Sequence, residues 1–71
     1  MNQELRQSLG TPAIFSNRFY VARTSGGTRI AFAEMIDGEA FYHSAVFMSE
    51  ADGYALRELL DQTLPKRTAA T

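Results

Sequence analysis

The sequence predicts an α+β fold, a three-stranded antiparallel β-meander followed by a C-terminal α-helix packed on one sheet face. Three observations carry that expectation. Two glycine-bearing turn signals, Ser25-Gly26-Gly27-Thr28 and Asp37-Gly38, divide residues 18–48 into three runs of strand length. Such pairs supply the positive φ that two-residue hairpins need. The runs themselves are rich in aromatic and β-branched residues, which suit a pleated, half-buried surface. The third run then gives way at Ser49 to EADGYALRELLDQTL, where leucines recur at three- and four-residue spacing.

Taken in order, Asn2 to Leu9 has the boundaries of a short N-terminal helix. Asn2 is its cap, Gly10 a left-handed stop, and Pro12 lies beyond. Only Leu5 and Leu9 are apolar and suitably spaced, and a helix this short does not hold by itself in water. Residues 2–9 are therefore either a docked turn or a mobile arm. Ala13 to Asn17 leads into the sheet, with Ile14 and Phe15 available to an edge segment.

The strands are expected at Arg18 to Thr24, Arg29 to Ile36 and Glu39 to Met48. With Gly26-Gly27 and Asp37-Gly38 as the central turn residues, Val21 faces Phe32 and Phe32 faces His43. Side chains alternate with period two. One face then holds Phe19, Val21, Ile30, Phe32, Phe41, Ala45 and Phe47. The other holds Arg18, Tyr20, Ala22, Arg29, Ala31, Ala33, Met35, Tyr42, Ser44, Val46 and Met48. The first is the greasier and should receive the helix. The second is too apolar for ordinary solvated surface, so one helix faces two faces that want cover.

The helix has a start, a stripe and a stop. Ser49 can accept from an orphan amide of the first turn. Asp52 gives a shortened capping box, and with Glu50 it places negative charge where the helix dipole favours it. Leu56, Leu59, Leu60 and Leu64 form the stripe, beside Ala55, and Pro65 ends it. Gly53 costs about 1 kcal/mol against alanine, which marks either a close approach to another backbone or simple tolerance. The chain is read as one domain over 1–71, with an ordered core of about 14–64 and a disordered tail over 65–71.

Seventy-one residues sit at the edge of what a single core can hold. With no cysteine, neither disulfides nor a thiolate metal site can help. Self-association or a partner is the remaining source of stability. The net charge of −1 argues against a generally basic nucleic-acid-binding domain. Lys66 is the only lysine among the basic residues, a bias that a GC-rich genome explains better than selection for arginine contacts. No apolar run approaches the roughly 20 residues of a membrane span, and MNQELRQSL lacks the order of a signal peptide. A cytoplasmic protein without a membrane partner is expected.

Candidate chemistry is sparse. Glu34 and His43 fall on one face a diagonal step apart, and such a pair can do acid–base work. With no second histidine, nucleophile or cofactor loop, a sheet-edge polar pair is preferred. A partner contact, a pairing with Arg23 or a different register are the other options for that carboxylate. Gly26-Gly27 lacks the following helix of a phosphate loop. Asp37, Glu39, Glu50 and Asp52 are too separated for a metal and read as turn and cap residues. No catalytic residue, metal or cofactor is expected.

AVFMSEADGYALRELLDQTL, in which a strand runs through a serine into a leucine-rich helix, resembles the ending of small uncharacterised bacterial, phage and prophage proteins. The likeness covers about residues 19–64. In size and lack of catalytic residues the chain is also similar in style to phage-encoded inhibitors of host defence of the anti-CRISPR type. The resemblance implies an inhibitor or adaptor from a mobile element, acting on a host protein complex.

The expected function is thus non-enzymatic protein binding by a homodimer. Its interface is Arg18, Tyr20, Ala22, Arg29, Ala31, Ala33, Met35, Tyr42 and Val46, since tyrosine and arginine favour protein contacts. The alternative is single-stranded nucleic-acid binding, with Arg18, Tyr20, Arg29 and Tyr42 as a stacking platform.

Overall fold

The computed structural model describes residues 2–67. The order is α1 (Gln3–Leu9), β1 (Arg18–Thr24), β2 (Gly27–Ile36), β3 (Glu39–Met48) and α2 (Glu50–Thr63). The strands form one antiparallel sheet in the order β1-β2-β3, so the α+β meander with a C-terminal helix is the observed fold. Residues 68–71 of the expected tail lie outside the described residues; Pro65 to Arg67 carry no regular structure.

Both helix starts follow from side-chain chemistry. Asn2 Oδ1 accepts from the Leu5 amide at 2.7 Å, and Ser49 Oγ accepts from the Asp52 amide at 3.1 Å. α2 ends at Leu64, whose ψ of 140° is extended, as a residue before proline prefers. Gly10 departs from expectation. Its φ of −78° is right-handed, with its amide on the Arg6, Gln7 and Ser8 carbonyls, so α1 closes without a left-handed stop. Every described residue of α1 is exposed.

The hairpins differ from each other. Asp37 (φ 52°) and Gly38 (φ 80°) both take positive φ, and the strands pair outward from Ile36 and Glu39 as expected. The first turn is centred on Ser25-Gly26 rather than Gly26-Gly27: Thr24 pairs with Gly27, and Val21 faces Ile30 instead of Phe32. Gly27 explains the slide. A Cβ there would collide with the Met48 carbonyl oxygen and come within 2.8 Å of the Phe47 ring. Its lack of a side chain admits a close neighbour within the sheet, and only Gly26 supplies the turn's positive φ (88°). A shift of two in the pairing leaves faces unchanged.

β3 does not run straight. Ala33 pairs with Tyr42 but Phe32 pairs with Ser44, leaving His43 as an extra residue. This bulge reverses every side chain beyond it. Ser44, Val46 and Met48 therefore join Phe19, Val21, Ile30, Phe32 and Phe41, while Ala45 and Phe47 join Tyr20, Ala31 and Tyr42. For residues 44–48 this corrects the expected faces.

The edge segment at Ile14 and Phe15 is also different. The Asn17 amide and Ser16 hydroxyl both donate to the Ala33 carbonyl at 3.0 Å. Asn17 Oδ1 accepts from the Met35 amide at 2.7 Å, so a side chain takes the place of a strand partner and the ladder stops. Two residues earlier, the Phe15 carbonyl is 3.1 Å from His43 Nε2. The lead-in thus passes from β1 across β2 to β3, and Ala33 at that crossing is the single fully buried hydrophobic residue among those described.

α2 lies on the side of Val21, Thr28 and Ile30. Arg23 pairs with Glu50 at 2.9 Å across an exposed surface, a contact of small worth. A Cβ on Gly53 would meet Thr28 Oγ1 at 3.4 Å. Beyond that turn the helix stands off the sheet, with Leu59, Leu60 and Leu64 each more than half exposed. Ser49 is the only residue between β3 and α2.

The consequence is that the described residues form no closed core. The chain exposes 6555 Å², where a compact monomer of this mass exposes about 4,400 Å². Five undescribed residues at full extension would expose only about 700 Å², so the excess lies mostly in the described part. The radius of gyration of 14.7 Å compares with about 11 Å for a compact chain of this length.

Candidate functional site

Two surfaces follow from the register, one on each side of the sheet. The tyrosine face is built in rows: Arg18–Ala33–Tyr42, Tyr20–Ala31–Ala45 and Ala22–Arg29–Phe47, with Met35 and Ala40 at one end. Alanines make a low floor along β2, and Tyr20, Tyr42 and Phe47 stand exposed around it. Arg18 and Arg29 are the charged residues of its three strands, and no carboxylate shares this face. Aromatic area with positive charge and no competing acid can hold an apolar or an anionic partner.

Seven of the nine expected interface residues, Arg18, Tyr20, Ala22, Arg29, Ala31, Met35 and Tyr42, are accessible to some degree on this face. Two stand elsewhere. Ala33 has the right orientation but is covered by the chain's own lead-in, which removes it from contact with a partner. Val46 is turned to the opposite face by the bulge at His43. Phe47 is the residue that strict alternation left out of this face; the adjacent polar pair His43-Ser44, ahead of the apolar run at residues 45–48, is the signal that marks the break.

The helix face is aliphatic and phenylalanine-rich. Phe19 and Phe32 meet edge to face, with ring centres 5.9 Å apart, a favoured aromatic geometry. Val21, Thr28 and Ile30 line an open cleft against Gly53, Leu56 and Leu60 of α2. Phe19, Val21, Phe41 and Val46 remain exposed, so α2 covers only the Thr28 end. A second hollow runs along α2 between Tyr54, Leu60, Asp61, Leu64 and Lys66; there the Arg57 guanidinium lies over the Tyr54 ring at 5.9 Å.

Glu34 and His43 do not come together. Glu34 is opposite Phe41, while His43 Nδ1 is 2.8 Å from Ser44 Oγ and Nε2 faces the Phe15 carbonyl. A carbonyl only accepts, so Nε2 carries the proton, and in the neutral ring Nδ1 accepts from the Ser44 hydroxyl. The ring pins the lead-in to the bulge. Arg23 is engaged by Glu50 rather than by Glu34. Among the described residues no three His, Asp or Glu side chains gather as a metal site would need. No helix among them is long and apolar enough to cross a membrane. Compared with family models, with curated proteins and with solved structures, the chain matches none.

Proposed function

We propose that this chain is a non-enzymatic protein-binding module that works as a homodimer, in the manner of a small inhibitor or adaptor. The supporting observation is the deficit of burial: about 2,000 Å² more surface than a compact monomer of this mass exposes. Obligate homodimers bury about 1,000–2,500 Å² per chain, the size of the deficit. Sedimentation equilibrium tests this directly. A mass of twice 7.9 kDa is expected at micromolar concentration, and a cooperatively folded monomer would contradict it.

Arg18 and Arg29, without an acid on their face and beside Tyr20, Tyr42 and Phe47, also favour a second use, the stacking of single-stranded nucleic acid. Titration with labelled oligonucleotides at two salt concentrations separates the two. Binding that weakens with salt and disappears in Tyr20→Ala assigns the tyrosine face to nucleic acid. No binding leaves it to a protein partner.

A further inference from the structure

Resting on the homodimer reading, we infer that the cleft between α2 and the sheet is where the second copy sits, each α2 lying across the partner's helix face. α2 has 14 residues, hence a length of about 21 Å, but only its first turns rest on its own sheet, at Thr28. Its C-terminal half leaves Leu59 and the cap residue Leu64 exposed, and Leu60 at the cleft is only half covered. The same face of the sheet leaves Phe19, Phe41 and Val46 open beyond the helix's reach. An apolar rod without a floor and an apolar floor without a rod occur in one chain. A two-fold axis pairs them twice over, because an isologous interface must be self-complementary. The product is two helices enclosed between two sheets.

The occupant is a second copy because the chain's excess surface, of which this open face is a part, is of the order that an obligate dimer buries per chain. The rod that fits the open floor is, moreover, already present on this chain. The tyrosine face lies outside this arrangement, on the outer side of each sheet, and stays free for another partner.

The chain has no cysteine, so single-cysteine variants report cleanly. Leu59→Cys and Tyr20→Cys in the full chain would be treated with a short bifunctional thiol reagent. Efficient covalent dimer from Leu59→Cys, with at least tenfold less from Tyr20→Cys, is expected. Both positions are exposed in the single chain, and circular dichroism of each variant checks that it folds. Should either fail to fold, an exchange of labelled and unlabelled wild-type chains followed by inter-chain nuclear Overhauser contacts reports the same geometry. Contacts from Leu59 or Leu64 to Phe19 or Phe41 of the other copy support the inference. Coupling through Tyr20 instead overturns this geometry while sparing the homodimer. A wild-type monomer overturns both.

Discussion

The two faces of the sheet expose similar numbers of large side chains but differ in what water does to them. The tyrosine face sets phenol hydroxyls and guanidinium groups around a floor of alanines. Its exposed groups, Phe47 apart, have polar tips, so most of it can remain wet. The helix face presents Phe19, Val21, Phe41 and Val46, with Glu34 and Ser44 as the polar residues beside them, and its one cover meets only the Val21, Thr28 and Ile30 end. The first can wait for a partner. On the homodimer proposal the second is closed by the other copy, because apolar burial is the dominant favourable term in folding. Exposure alone does not distinguish a recognition surface from an unfinished core; the chemistry of the exposed atoms does.

The contrast can be tested by substitution, and the largest effect is expected at its centre. Phe32→Ala removes the ring that meets Phe19 on the helix face and should cost about 3–5 kcal/mol, read by urea denaturation. A cost under about 1 kcal/mol would mean that this face is never buried. Leu59→Ala is next and the more discriminating. As surface in an isolated chain it should shift stability by no more than about 0.5 kcal/mol. Buried between two copies it should cost about 2 kcal/mol or more, with a weaker dimer. Opposite in sign and smaller, Gly53→Ala should stabilise by up to about 1 kcal/mol, since the added methyl meets Thr28 Oγ1 at an ordinary 3.4 Å. A loss would show that the helix sits closer to the sheet than that. Smallest is Tyr20→Ala, expected within about 0.5 kcal/mol of wild type while abolishing whatever the tyrosine face binds. A large loss of stability there would erase the distinction between the faces.

Local signals in the sequence carried the fold, and failed where two physical solutions share one pattern. Ser49 and Asn2 are caps for reasons a single residue announces, and Asp37-Gly38 is a turn because both residues tolerate positive φ. Gly26-Gly27 was read as the central turn pair, and the crowding by Phe47 and Met48 that accounts for a turn centred one residue earlier is a tertiary fact. The bulge at His43 was harder still. Residues 45–48 read AVFM, apolar at every position, so slipping one residue leaves the pattern equally greasy on both sides. Leu59 and Leu60 were legible as residues that want burial, but the stripe does not say whose surface provides it. Ala33 was placed on the correct side and still misjudged, because the crossing of Ser16 and Asn17 over β2 leaves no periodic trace.

All of this turns on whether one copy is enough to fold. Thermal unfolding followed by circular dichroism over a hundred-fold range of protein concentration tests that most directly, since a fold completed by its partner is stabilised by mass action. The account predicts a Tm that climbs steadily with concentration, and a native signal that fades on dilution along with the dimer mass. A concentration-independent Tm with a sharp, cooperative transition at monomer mass would contradict it.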